Sequence, residues 1–347
     1  VKRRTAPPAA VSATILLLTG SLAACSTSPA PTPAGAAAAI GIDNPRTDTA
    51  FWKAYAQYLA HDAADQHLSV LPPTESDGDD AKFTANVTAL ATHGPKAIVM
   101  APQDTVNTGA VLDDLLARHI DAVSVDTVPE TGYVYMVVRA DNRALGTQAC
   151  EFLGKRLGGT GKVAELQGAL ASINGYDRSQ AFASCMKNEF PRIQLIELAT
   201  DWTGAVASAK LRSALAGNPD LNGVYLQSGG AFLQPTLALL QQQGLLKPAG
   251  QPGHITIAAN DGTPQELDAI RKGQIDATVS QPADLYAKYA LYYAEAAAQD
   301  KTFQPGPTDH DSTVIQLPNG LEDQLPSSLV TKDNVDDKAL WGNATGA

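Results

Sequence analysis

The chain has little cysteine and little positive charge, and each scarcity excludes a class of protein. Three cysteines in 347 residues are too few for a disulfide scaffold and do not cluster like a zinc site. Lys and Arg number 25 against 36 acidic residues, a net charge of −11, which argues against a nucleic-acid binder held by phosphate contacts. Catalytic and metal motifs are missing too. The six histidines are scattered, with neither HExxH nor any paired ligand spacing. Asp77, Asp79 and Asp80 lack the calcium-loop register and read as a solvated turn. No GxSxG elbow occurs. Gly158-Gly159-Thr160-Gly161-Lys162 is a turn rather than a phosphate loop. Arg156 stands where Walker A needs glycine, Val163 stands where it needs Ser or Thr, and the run falls between a helix and a strand, the wrong order. Neither a metal nor a cofactor is expected.

Long apolar runs are equally scarce, and the one present lies at the start. Lys2, Arg3 and Arg4 precede an apolar stretch from about Ala9 to Leu22, which ends in Leu22-Ala23-Ala24-Cys25. This is the pattern of a secretory leader, and the stretch is too short and alanine-rich for a comfortable membrane span. Its last four residues match a bacterial lipobox, so a leader of residues 1–24 and lipidation of Cys25 are expected. An ordinary cleaved leader with a chance cysteine is the alternative. Val1 fits a non-ATG bacterial start read literally. Ser26–Gly35 is rich in Pro, Ser and Thr, as in an extended tether, so residues 25–36 read as a lipidated cysteine and flexible linker. Removing the leader takes away three positive charges and no negative ones. The mature chain is therefore more acidic still, which does not favour lying flat on anionic lipid.

What is present is a 44% hydrophobic chain, enough for a packed core, long enough for about two domains. Short apolar runs alternate with longer amphipathic ones. Strands are expected at Ala38–Ile42, Leu68–Leu71, Ala97–Met100, Ala122–Val125 and Tyr133–Val138, with helices between them. In the helix Thr108–Arg118, Val111, Leu112, Leu115 and Leu116 fall on one face. The alternation restarts with a helix at Asp141–Leu157. Strands follow at Val163–Leu166, Leu195–Leu198, Val224–Leu226, Ile255–Ala258 and Ala277–Val279. The fold class is α/β, with two similar Rossmann-like lobes of doubly wound parallel sheet. Cys150 and Cys185 lie on helices that flank the first strand of the second lobe. In an exported chain this favours a disulfide over two buried thiols.

Six segments then line up in order: Asp141-Asn142, Arg178-Ser179-Gln180-Ala181-Phe182, Asn218-Pro219-Asp220, Asn260-Asp261-Gly262-Thr263-Pro264, Ala277–Gln281 and Leu329–Val335. Together they resemble the sugar-binding lipoproteins and periplasmic proteins of ABC importers, of the ribose-binding (type I) group, over about Ile40 to Val335. The resemblance implies a ligand cleft between two lobes joined by a three-segment hinge. The N-terminal lobe would hold 37–138 plus 282–318, and the C-terminal lobe 139–281 plus 319–347. It also implies ligand contacts from Asn44, Arg46, Asp126, Arg178, Trp202, Ser228, Asn260, Asp261 and Gln281. Such side chains supply the fixed donors and acceptors that a polyhydroxylated ligand needs. Phe51, Trp52 or Tyr176 could assist Trp202 in covering the C–H faces of a sugar. Arg178 is expected to face an open wet cleft and to contribute little to folding.

The chain departs from the group's pattern at several positions. Arg46 and Thr47 replace paired aromatics, Thr127 replaces an arginine, Ser228-Gly229 replaces Asn-Asp, and Ala101 replaces an asparagine. These changes count against plain ribose and leave another pentose or hexose, a furanose, or a polyol. The expected function is an exported, lipid-anchored, monomeric solute-binding protein, not an enzyme. Its partners are a sugar or sugar-alcohol ligand and an ABC importer permease. A receptor sensing a furanose-like signal and, more distantly, a secreted sugar-processing enzyme are the alternatives.

Overall fold

The structure is a computed structural model and describes residues 40–344. The expected leader, the lipidation site Cys25 and the linker lie outside the described residues. Among the described residues no helix is long and apolar enough to cross a membrane.

The first half comprises β1 (Ile40–Asn44), α1 (Ala50–Asp65), β2 (Thr74–Glu75), α2 (Asp80–Thr92), β3 (Ala97–Met100), α3 (Gly109–Ala117), β4 (Asp121–Val125) and β5 (Val134–Ala140). The second comprises α4 (Asn142–Arg156), β6 (Thr160–Gln167), α5 (Ile173–Glu189), β7 (Arg192–Ala199), α6 (Gly204–Gly217), β8 (Gly223–Leu226), α7 (Gly229–Gln242), β9 (Thr256–Asp261), α8 (Pro264–Arg271) and β10 (Ala277–Ser280). The tail adds α9 (Ala283–Ala298), β11 (Gly306–Pro307), β12 (Thr313–Leu317), β13 (Gly320–Leu325), β14 (Ser328–Thr331) and α10 (Trp341–Ala344).

Two sheets result, ordered β11-β12-β13-β5-β4-β3-β1-β2 and β14-β10-β9-β8-β6-β7. Both are parallel through their centres. The antiparallel pairings are β11–β12, β12–β13 and β10–β14. The central strands β3 and β5 are buried at every position, as strands covered by helices on both faces must be. One apolar cluster runs from α1 and α9 beneath the first sheet into α4 and α5 beneath the second. Separate clusters fill the opposite faces, against α2 and α3 in one lobe and α6 to α8 in the other. The chain passes between sheets after β5, after β10 and after β13. Helix α9 packs on α1 and the first sheet.

Two expectations about strands need correction. Leu68–Leu71 contributes only an isolated bridge, Ile40 with Val70. The strand proper is Thr74–Glu75, because Pro72 and Pro73 have no N–H to give the ladder. The lobe boundary expected between 318 and 319 is also displaced. Strand β13 pairs in parallel with β5, so the last passage falls at 326–327. This strand hides acids that its sequence would place in water. Asp323 accepts from Tyr293 Oη at 3.0 Å, and its other close partners are His310 and Ser312. Glu322 lies 3.6 Å from Arg139.

Cys150 on α4 and Cys185 on α5 are bonded, with Cα atoms 6.2 Å apart. The two helices approach closely because α4 offers Gly146, where a Cβ would fall 2.4 Å from the Arg178 carbonyl oxygen. The bond closes a 35-residue separation. By chain entropy, reduction should lower stability by about 3–4 kcal/mol. Denaturant titration with and without reductant measures the difference, and equal midpoints would contradict it.

His254 ties the loop before β9 to the start of β10. Its Nδ1 is 2.7 Å from the Lys247 carbonyl and its Nε2 is 2.8 Å from Asp276 Oδ2. Both neighbours are acceptors, so only the imidazolium satisfies both. The bonded Asp276 carboxylate accordingly holds His254 above its ordinary 6.5. A raised folded value means the contribution is complete below about pH 6.5 and is lost as pH rises through the folded value. His254→Gln should therefore lower the melting temperature by about 2–4 °C at pH 6. The gap should close towards pH 9, as melting curves across that range would show.

Candidate ligand-binding site

The C-terminal ends of the parallel strands from both sheets meet around one cavity of about 450 Å³. Arg46, Asp126, Arg178, Trp202, Ser228, Asp261 and Gln281 line it, as the sequence suggests. Asn44 and Asn260 do not. Side chains alternate along a strand, and Asn260 turns away from the cavity, donating to Tyr225 Oη at 2.8 Å. At the end of β1 the Asn44 amide oxygen is enclosed with no partner among the described residues, and it is Arg46 that reaches the cavity. Phe51 and Trp52 do line it, while Tyr176 lines a separate hollow.

Arg178 is the centre of the site and not the solvated group that the sequence suggests. It is 3% exposed. Its Nε donates to Asn142 Oδ1 at 2.6 Å, Nη1 to the Gln227 carbonyl at 2.6 Å, and Nη2 to Gln281 Oε1 at 2.9 Å. The indole of Trp202 covers the guanidinium at 5.6 Å. Trp202 in turn lies nearly parallel to Phe232, 6.3 Å away. It rests on Gly168, where a Cβ would fall 2.1 Å from the ring. Asp201 and Trp202 both have left-handed backbone, with φ of 50° and 57°, which swings the ring inward.

Asp261 closes the second-lobe wall. It accepts from Gln281 Nε2 and the Gly230 amide at 2.9 Å each, and from Ser228 Oγ at 2.7 Å. Ser228 also caps α7. Gly229 follows it because a Cβ there would lie 2.0 Å from the Glu266 carboxyl carbon. Glu266 completes the capping box of α8 with Thr263. Burial pushes Asp261 and Glu266 upward together, and repulsion from Asp261 adds to the rise at Glu266. Glu165 of β6, which accepts from Gln227 Nε2 at 2.7 Å, is fully buried, and burial pushes its carboxyl up to about 8.

Asp126 faces these groups from the first lobe. Its φ is +67° at the end of β4. Asn174 Nδ2 of α5 donates to its Oδ2 at 2.9 Å, and Tyr286 Oη of α9 lies 3.3 Å from its Oδ1. Burial raises its pKa, against the opposing field of Arg178 and Arg139. Asn174, Tyr286 and the loop Gln103–Val106 were not foreseen. Asn174 did have a signal, since it stands four residues before Arg178 on one helix face. Tyr286 had none, because its role depends on α9 packing against the hinge. Among the described residues no group of His, Cys, Asp and Glu could hold a metal ion.

Two α/β lobes closing on a cavity with buried polar walls define a two-lobed solute-binding protein. The chain belongs to the periplasmic binding protein domain family, whose profile matches residues 40–302. It is 24% identical over 267 residues to the ribose import binding protein RbsB of Bacillus subtilis, covering 76% of this chain and 83% of that one. It is 24% identical over 263 residues to the xylitol-binding protein of Mycolicibacterium smegmatis, covering 75% and 68%. The fold is also that of an ABC transporter solute-binding protein from Mycobacterium smegmatis solved with bound glycerol. Against that structure the TM-score is 0.73 at 24% identity, with 86% of this chain and 96% of the other covered. These relatives are binding proteins and not enzymes.

Removing Arg178 should harm the fold as well as the site. Arg178→Ala strips charge-assisted donors from three enclosed acceptors, so stability should fall by about 2–4 kcal/mol. Lysine should not restore it, because one ammonium cannot reproduce the fork. Chemical denaturation without added solute tests this, and an unchanged midpoint would show that the guanidinium is held only loosely.

Proposed function

We propose that this chain captures a sugar or sugar alcohol between its lobes and delivers it to the membrane permease of an ABC importer, acting as a monomer anchored through lipidated Cys25. One observation carries the reading. Asp126 from one lobe and Arg178 and Asp261 from the other face a single cavity in which Trp202, Phe51 and Trp52 supply apolar cover. Closing such a site buries every polar group of the ligand, so each hydroxyl must find a partner, and a neutral ligand rich in hydroxyls meets that demand best. The solutes for which the ribose-binding and xylitol-binding relatives are named support the same class. The replacement of paired aromatics by Arg46 and Thr47 weighs against plain ribose and favours a furanose or a polyol. No cofactor or metal has a part in this reading.

A melting screen of the mature chain with ribose, allose, xylitol, glycerol and myo-inositol tests it. A true ligand at a hundred times its dissociation constant adds about 2.7 kcal/mol, which is roughly 5 °C or more in melting temperature. Calorimetry should then give one site per chain. Absence of any shift across a wide sugar and polyol panel, or turnover of a glycoside, would overturn the reading. Loss of uptake in cells lacking the protein distinguishes transport from sensing.

A further inference from the structure

Arg178 and Asp126 stand on different lobes, and two amides join them in a line. Arg178 Nε donates to Asn142 Oδ1 at 2.6 Å. Asn142 Nδ2 donates to Asn174 Oδ1 at 3.2 Å, and Asn174 Nδ2 donates to Asp126 Oδ2 at 2.9 Å. A guanidinium can only donate and a carboxylate can only accept. The two ends therefore fix the direction of both amides, and neither can turn over without opposing like poles. Asn142 also donates to the Ala140 carbonyl at 3.1 Å, which holds the same orientation. Both asparagines are buried.

The line returns through the hinge. Tyr286 Oη accepts from the Ala140 amide at 2.7 Å and lies 3.3 Å from Asp126 Oδ1 and 3.2 Å from Gln281 Oε1. Gln281 Oε1 already accepts from Arg178 Nη2. Six side chains thus form a ring, in which the Asn174–Asp126 bond joins the second-lobe helix α5 to the first lobe.

We propose that Asn174 is the closure latch of this protein, a positioning residue whose amide is aimed at Asp126 by Arg178 acting through Asn142. The inference rests on the cleft being the binding site and adds how contact with Arg178 is coupled to the meeting of the lobes. An undisturbed Arg178 presents the Asn142 oxygen correctly, the relay is ordered, and the lobes are held at Asp126. A disturbance of Arg178 is felt at Asp126 without any ligand atom bridging the two.

The test uses the full chain and three variants: Asn174→Ala, Asn174→Asp and Asn142→Asp. Asn142→Asp keeps the volume and the acceptor for Arg178, and its residue does not line the cavity, but it reverses the pole offered to Asn174. The probe is whichever of ribose, allose, xylitol, glycerol and myo-inositol most raises the melting temperature of the unaltered protein. Dissociation should be about tenfold faster in Asn174→Ala and in Asn142→Asp, with association nearly unchanged. Asn174→Asp should lose more at pH 8 than at pH 5, since it sets a second carboxylate against Asp126. The charged and titratable groups facing that pair are Arg178, Arg139, Asp177, Asp261 and Tyr286, all present in every variant. Small-angle scattering of the same samples, with the probe and without it, should show larger radii in the variants. Unchanged dissociation rates and radii in all three would overturn the latch while leaving the binding reading intact. If no probe binds, the binding reading fails separately, and the radii alone decide the latch.

Discussion

A guanidinium with almost no contact with water must have its charge and donors answered by protein, and much of this structure is arranged to answer Arg178. Asn142, the Gln227 carbonyl and Gln281 come from α4, from the end of β8 and from the hinge after β10. Each is held in turn. Gln227 donates to Glu165 and Ser179 at 2.7 Å each, and Gln281 donates to Asp261. The helix bearing Arg178 approaches α4 only because Gly146 lacks a side chain, and the disulfide fixes that approach. Pairing one buried cation thus sets the register of two helices, two strand ends and a hinge. The polar groups of the site are bonded to one another, so a ligand meets directed donors and acceptors rather than ones it must order.

The lobes differ in how they build their share of the cavity. The second lobe contributes a dense polar floor in which Asp261, Ser228 and Gln281 are mutually bonded. The first contributes Phe51 and Trp52 from α1 and a half-buried acid, Asp126, while Trp202 of the second lobe adds a further ring. Asp126 and Asp261 face each other across the cavity, with Arg178 reducing the repulsion between them.

The alternation of strands and helices was plain in the sequence because central parallel strands such as β3 and β5 are apolar throughout. The β12–β13 hairpin was not, because Glu322 and Asp323 are buried by virtue of Arg139, Tyr293 and His310, partners distant in the chain. The same limit applies at the site. Arg178, Asp261 and Gln281 announce themselves as polar residues in recurrent segments. Whether such a residue faces water or is enclosed depends on what packs above it, and for Arg178 the sequence pointed the wrong way. Asn260 misled for a simpler reason: next to Asp261 in the chain, it must point to the other side of the strand. Asn174 shows the converse, since its spacing from Arg178 was visible but its partner Asp126 belongs to another lobe.

Asp126, Trp202 and Asp261 line the cavity with positive φ, and Asp201 shares that backbone one residue before Trp202. Glycine, asparagine and aspartate tolerate that backbone best, and a bulky residue such as Trp202 holds it only under strain. For a lineage drifting towards a new solute, these four corners have a small alphabet, and most substitutions there would distort the loop before they altered a contact. Change is easier along Gln103–Val106, where the chain lines the same cavity with ordinary backbone. The backbone at these corners therefore constrains substitution more than it does along that loop, where a change of side chain alters a contact without bending the chain.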